Sequence, residues 1–304
     1  MDVLGFGFGE EPGSTRWREL NSVCPPVGTR CLLVPGRGAL SLGSLQGLGR
    51  VGHYHARDAQ AGVRLLREAC RVLSEEGLQK VLGPMDGTTW HPYRLALSGG
   101  EDWFRGEPRN PPAVVEHFLG AGFAVDQRYT STITFDLEET YPALERLEGR
   151  LAGRVRIRPL DLERFLSELE ALHAMSLEAF RDNVYFTPID RVEFRALYEP
   201  MRPLLKPDLV LLAEEGSRLI GFVLAYPDRN RVVLKTLATV PDRRGLGLGT
   251  VLTSRIHQAA RRLGYGAVIH ALMHSSNPSQ HVSRGASAGS ARLWREYALL
   301  RWPA

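Results

Sequence analysis

Lysine is nearly missing from this 304-residue chain. Only Lys80, Lys206 and Lys235 occur among its 38 basic residues, and arginine supplies the rest. That bias, with abundant leucine, glycine and alanine, reflects a GC-rich coding sequence more than any chemistry. No apolar run approaches the ~18 residues of a membrane span, and no basic stretch before an apolar one marks a secretory leader. Cysteine is scarce too. Cys24, Cys31 and Cys70 lack metal-ligand spacing and cannot build a disulfide framework, which points to a reducing, cytoplasmic setting. His53 and His55 share one strand face, but no third ligand is apparent, so no metal site is expected. The net charge of +4 is spread over arginines that alternate with acids, which argues against a nucleic-acid partner. A hydrophobic fraction of 43% and a charged fraction of 24% suit a soluble globular chain with two cores.

What is present is a stretch reading LKTLATVPDRRGLGLGTVL, from Leu234 to Leu252. A β-branched apolar run ends at Pro241. Arg243, Arg244, Gly245, Leu246, Gly247, Leu248, Gly249 and Thr250 follow and lead into an amphipathic helix. A helix start exposes unpaired N–H groups and the positive end of the dipole, so a strand, a glycine turn and a helix together make an anion site. Glycines allow positive φ and close approach of a phosphate. Two phosphate loops are excluded. A P-loop needs Lys and Ser/Thr after its last glycine, and a dinucleotide fingerprint needs Gly-x-Gly-x-x-Gly, whereas these glycines are spaced by two.

The segment resembles the acyl-CoA loop of the GNAT N-acetyltransferase superfamily, Gln/Arg-x-x-Gly-x-Gly/Ala, with Arg244, Gly247 and Gly249 in those positions. The predicted element order over residues 153–304, β-α-α-β-β-β-α-β, is the one this resemblance implies. The implied fold class is α/β (α+β), with a mixed, mostly antiparallel sheet flanked by helices. The implied donor is acetyl-CoA or another acyl-CoA, its pantetheine arm lying where the strands before and after the loop splay apart.

An internal repeat carries a constant offset of 187 residues, pairing Arg244, Gly249, Gly264 and Asn277 with Arg57, Gly62, Gly77 and Trp90. A repeat this long means two domains of like fold. We expect an N-terminal segment over 1–28, a degenerate GNAT-like domain over 29–150 and an acyl-CoA-binding domain over 151–304. The first copy reads Arg-Asp-Ala-Gln-Ala-Gly at 57–62, so Asp58 and Gln60 oppose pyrophosphate binding by charge and bulk. The run from Thr88 to Arg94 (TTWHPYR) is dense in binding-type side chains.

For the chemistry, the resemblance assigns polarisation of the thioester carbonyl to the main chain of Leu237, Ala238, Thr239 and Val240, with Val240 the best single choice. Relatives often carry a glutamate base on this strand; here Lys235, Thr236 and Thr239 stand instead. Candidate replacements are His274, as a base at a strand end, and Tyr297, as an acid to the thiolate. His274 also reads, and more readily, as a backbone-bonded strand end, and Tyr297 reads equally as a half-buried strand residue. Asp228 is either an acceptor-amine ligand or a turn former. Asn277 matches an asparagine that contacts cofactor in relatives. Phe180, Asn183 and Tyr185 lie where relatives bind acceptors. The expectation is an N-acyltransferase moving acetyl to a primary amine of a small molecule or peptide by direct attack. The alternative is a non-catalytic acyl-CoA-binding or sensing protein, suggested by the missing carboxylate.

Overall fold

The computed structural model describes residues 30–34, 38–137, 143–276 and 290–303. In chain order the first half supplies β1 (Arg30–Val34), β2 (Gly38–Leu45), β3 (Leu48–Ala56), α1 (Ala59–Glu75), β4 (Val81–Gly83), β5 (Leu95–Ala96), α2 (Pro112–Gly120) and β6 (Ala124–Thr134). The second half supplies α3 (Leu144–Leu151), β7 (Arg156–Pro159), α4 (Phe165–Phe180), α5 (Arg191–Tyr198), β8 (Val210–Glu215) and β9 (Arg218–Asp228). It continues through β10 (Arg231–Thr239), α6 (Leu248–Arg262), β11 (Ala267–His274) and β12 (Arg292–Trp302). No helix of the described residues is long and apolar enough to cross a membrane.

Each half repeats one local topology. In the second, β8, β9 and β10 run antiparallel, α6 crosses over, and β11 returns parallel to β10. In the first, β1, β2 and β3 run antiparallel, α1 crosses over, and β4 returns parallel to β3. Both crossover helices end in the same way. Gly77 and Gly264 take φ of +88° and +82°. The next amides, of Leu78 and Tyr265, reach back to Leu73 O and Ala260 O at 3.0 Å. This closure needs a left-handed residue just past the helix, which glycine adopts without a Cβ penalty. Residues at helical spacing bury one face of α6: Leu248, Val251, Leu252, Ile256, Ala259 and Ala260. Each large member stabilises the packing by about 1.5–3 kcal/mol.

Two compact units result, but not along the expected boundary near residue 150. The first takes in the chain up to Tyr129, together with Val184–Thr187 and everything from Arg295 onward. The second is Thr130–Asn183 with Pro188–Trp294. Helix α3 belongs to the second unit, where Leu147 lies under Gly247. The cause of the shift is strand exchange. In the first unit β12 pairs antiparallel with β4, through Leu300↔Gly83, Arg301↔Leu82 and Trp302↔Val81. In the second unit β11 is flanked by the end of β6, with the Leu272 amide donating to Ser131 Oγ at 2.9 Å.

A buried ion pair fixes β12 in the first unit. Arg295 and Glu107 have side chains only 3% and 0% exposed. Glu107 Oε1 accepts from Arg295 Nε at 2.8 Å and from the Tyr297 hydroxyl at 2.5 Å, while Oε2 accepts from the Phe104 amide at 2.9 Å. Arg295 also donates to the carbonyls of Ser98, Gly100 and Asp102, and its guanidinium lies 3.7 Å from the Trp103 ring centroid. Each of the three guanidinium nitrogens has a partner, which a buried charge requires. Glu107→Ala strands the buried arginine and is expected to cost about 3–5 kcal/mol in denaturant unfolding. Tyr297→Phe is expected to cost about 1.5–3 kcal/mol. Unfolding midpoints unchanged in both variants would contradict the role given to this pair.

Candidate functional site

The second unit's central strand loses its neighbour halfway along. β10 pairs with β11 from Arg231↔Ala267 to Leu234↔His270 and no further. Immediately beyond, the register with β9 shifts between Leu234 and Thr236, leaving Lys235 as the extra residue. Bulges of this kind re-aim strands and are common beside functional sites. β11 is irregular at the same level, with Leu272 at φ +55°.

Backbone amides are exposed as a result, but not all those expected. Along an antiparallel strand, successive N–H groups point to opposite neighbours. The Val240 amide donates to Ile220 O on the β9 side at 3.0 Å, so it is already used and cannot polarise a carbonyl. Ala238, two residues earlier, faces β9 likewise. Leu237 and Thr239 are the residues whose amides face the side that β11 has left. The expectation for Val240 is thereby corrected.

The loop beyond delivers a second set of amides. Gly245 and Gly247 adopt φ of +85° and +82°, and Gly247 caps α6. The first bond of the helix ladder runs from Val251 N to Gly247 O, so the amides of Leu248, Gly249 and Thr250 have no intrahelical partner. Gly221 on β9 seats this helix start. A Cβ there would approach Leu248 Cδ2 to 2.8 Å and Ala238 O to 3.1 Å, so glycine gives Leu248 room to sit on the sheet.

The arginine pair beside the loop does not supply the surplus positive charge its sequence suggests. Arg243 binds Glu215 at 2.7 Å and Asp242 at 2.9 Å. These bonds hold the Glu215 carboxyl below its usual range, and Arg218 does the same for Asp242. Arg244 donates to Ala179 O at 2.9 Å, tying the loop to the end of α4, and lies 3.9 Å from Asp182. The donors that these ion pairs leave at the head of α6 are main-chain amides.

The other expected residues separate into groups. Phe180 and Asn183 lie at the end of α4 that Arg244 holds beside the loop, and the Asn183 amide donates to Phe180 O. His274 ends β11 four residues past the last pairing, with Nδ1 2.8 Å from Ser276 Oγ. Asp228 ends β9 opposite Arg231, at the start of β10 and roughly 25 Å along the strand from the loop, with its carboxylate engaged by Arg231 at 3.2 Å. It is not brought to the site, because it serves as the partner of a nearly buried arginine. Tyr297 is also corrected: it belongs to the first unit, is fully buried, and gives its hydroxyl to Glu107. Tyr185 lies in the first unit as well, donating to Asp126 at 2.8 Å, and burial pushes its phenol up to about 12. Asn277 lies outside the described residues.

Within the first unit, the aromatic run Thr88–Arg94 fastens Val184–Thr187. Trp90 Nε1 donates to Thr187 O at 2.8 Å and its ring meets Phe186 edge-on, while Gln46 Nε2 donates to Phe186 O at 2.6 Å. The places equivalent to the strand gap and the loop are filled by the chain itself. Met85 N bonds Val51 O at 2.7 Å, and the His53 amide donates to Asp86 Oδ1 at 2.6 Å. A Cβ on Gly52 would meet Met85 O at 2.3 Å, so β3 and β4 are closed tightly where β10 and β11 part. At the start of α1, Asp58 Oδ1 accepts from Ala61 N at 2.8 Å, and that bond, with Arg57, lowers its carboxyl pKa. A carboxylate already occupies the helix terminus.

Sequence reasoning missed Tyr198, the last residue of α5. Its ring lies 4.5 Å from that of Phe194, and Lys235 Nζ lies 5.8 Å from its centroid. Burial raises the phenol to about 12. The i,i+4 spacing of Phe194 and Tyr198 was the available signal, but it reads equally as core packing. Behind the loop, His257 on α6 and His270 on β11 share a 2.8 Å contact between their Nε2 atoms. Both are buried and held neutral. Burial takes His257 down to about 4 and His270 well below 6.5.

Two outcomes are expected. Gly245→Ala, with open space around its Cβ, carries only left-handed strain of about 1–2 kcal/mol, whereas Gly247→Ala also drives its Cβ to 2.5 Å from Leu147 Cδ2. Unfolding should show the second variant as the less stable, and equal losses would contradict the packing described. Because the histidine pKa values are depressed in the fold, their contribution is complete above about pH 6.5 and is lost as pH falls toward about 4. Each histidine contributes about 1.4 kcal/mol per pH unit in that window. Thermal melts should fall across it, less steeply for His270→Leu, and an equal slope in that variant would contradict the assignment.

Comparison with known proteins agrees with this geometry. Residues 169–284 match the family model described as Acetyltransferase (GNAT) family. The chain is 26% identical over 197 residues to Protein YghO of Escherichia coli, covering 60% of this chain and 48% of that protein. It is 29% identical over 105 residues to a bacterial ceramide synthase of Caulobacter vibrioides, covering 34% and 27%. It therefore spans less than half the length of the curated relatives it matches. A solved tandem GNAT protein from the clavulanic acid biosynthesis pathway is 14% identical with a TM-score of 0.52, covering 99% of this chain and 92% of that one, a likeness of fold. The stretch from within α4 to beyond β11 is thus the part of the chain that matches the GNAT acetyltransferase family model.

Proposed function

We propose that the second unit is an acyl-CoA-dependent N-acyltransferase, moving acetyl in the first instance to the primary amine of a small molecule or peptide. The observation that carries this is one gap served by two sets of amides: Leu237 and Thr239 along β10, and Leu248 to Thr250 at the head of α6. These groups fit acyl-CoA. The helix terminus suits a diphosphate, and Gly247 supplies the left-handed residue that turns the chain into it. Bound there, acyl-CoA supplies an activated thioester. The amides of Leu237 and Thr239 face the position where negative charge gathers on the carbonyl oxygen, and their fixed orientation stabilises it. The first unit, its equivalent places filled by Asp86 and Asp58, holds no acyl-CoA.

β10 carries no carboxylate, and Tyr297 is withdrawn into a core. The amine then loses its proton to water before attack. The relative named as a ceramide synthase adds lipid amides to the range of candidate products. The missing base also favours a second reading, an acyl-CoA-binding sensor without turnover.

Thiol release from acetyl-CoA across a panel of amines separates the two. Turnover is expected, with kcat/KM rising tenfold per pH unit up to the acceptor's own pKa, because only the neutral amine reacts. Tight CoA binding with no release on any amine would leave the sensor as the better account.

A further inference from the structure

We propose that Arg94, with Tyr93 and Tyr129, forms a site in the first unit for an oxyanion, a carboxylate or a phosphate, independent of the acyl transfer assigned to the second unit. The backbone there is strained. Arg94 takes φ of +91°, a value that bulky side chains rarely adopt. The chain is fixed on both sides of it. Tyr93 bridges to Met85, the Arg94 amide donates to Pro84 O at 3.2 Å, and Leu95 pairs with Ala298 on β12. In an extended segment adjacent side chains point to opposite faces. The positive φ overrides that alternation and brings the Arg94 guanidinium onto its own neighbour, with Cζ 3.9 Å from the Tyr93 ring centroid. The same carbon lies 4.1 Å from the ring centroid of Tyr129 on β6. Glycine takes such a conformation without strain. With arginine the strain accompanies a side chain set between two rings, and strain of this kind gathers at ligand clamps.

The cluster carries a positive charge and more donors than acceptors. Arg94 Nη2 donates to the Tyr93 hydroxyl, and the Tyr129 hydroxyl bonds both Tyr93 and Arg94. Burial, with Tyr93 beside it, raises the Tyr129 phenol far above its ordinary value, so it stays protonated. A guanidinium brings five N–H donors and no acceptor, and each phenol adds one O–H. Arg94 Nε is buried without a hydrogen-bond partner. Among the described residues no carboxylate pairs with Arg94; its side chain meets the two tyrosines instead. Other arginines of this unit differ, since Arg295 binds Glu107 and Arg301 binds Asp126. Ring faces offset only part of the cost of drawing a guanidinium out of water. An oxyanion answers the charge and the surplus donors together, and the planar guanidinium fork suits the geometry of carboxylate and phosphate.

The test is titration of the full chain, free of CoA, with inorganic phosphate and separately with acetate, against sodium chloride at constant ionic strength. Backbone amide resonances of Arg94, Leu95 and Tyr129 report on the site, while those of Leu248 to Thr250 report separately on phosphate at the head of α6. At least one anion should saturate the first set at a concentration roughly tenfold or more below that of chloride, and the arm that does so names phosphate or carboxylate. In Tyr93→Phe half-saturation should rise about threefold or more. In Arg94→Gly the saturable shifts at Leu95 and Tyr129 should vanish, while the melting temperature in chloride stays level or rises because the strain is released. Arg94→Met, which keeps the strain and the alkyl stem without the charge, should lose the anion preference as well. An arginine serving only as packing gives the opposite pattern, with no preference among the anions and a lower melting temperature for Arg94→Gly. That pattern, or a preference that survives Arg94→Gly or Arg94→Met, would overturn the proposal.

Discussion

The separation of β10 from β11 beyond Leu234 and His270 is the constraint on which the chemistry proposed for the second unit depends. A sheet interior normally leaves no amide unanswered, because each unmet N–H costs free energy. Here the pairing stops, the strand slips by one residue at Lys235, and two amides face an opening instead of a neighbour. Gly221 then lets Leu248 settle on the sheet, which sets the head of α6 at the end of that opening. One irregularity in a strand thus gathers both amide sets into one place.

The first unit is the control that the chain carries within itself. It has the same hairpin, crossover helix and parallel return, and its helix is closed by the same glycine device. Yet β3 and β4 stay closed through Met85 and Asp86, and Asp58 has moved into the helix terminus. Topology alone does not make a ligand site; the site needs backbone groups left unspent. What the first unit retains is a tight core, into which β12 is locked by Arg295 and Glu107.

Local features were legible in the sequence because local physics fixes them. The face of α6 and the glycines at 245, 247 and 264 each follow from spacing or from positive φ. The 187-residue offset pointed to the topology that the two halves share and to Asp58, which stands at the start of the first crossover helix. Long-range pairing was not legible. Tyr297 looked like a residue of the second unit because it follows that unit in sequence, but a strand takes whichever edge offers hydrogen bonds, and for β12 that edge is β4. Val240 was misjudged because the direction of an amide depends on register, which a bulge resets. Arg243 and Asp228 were misjudged because their partners, Glu215 and Arg231, had not yet been placed in space.

The account is tested most directly by following backbone amide resonances as acetyl-CoA is added to the full chain. The shifts should be largest at Leu237 and Thr239 on β10 and at Leu248, Gly249 and Thr250 on α6. Val240 and the Asp58–Ala61 turn of the first unit should stay nearly still. Movement concentrated in the first unit, or none along β10, would contradict it.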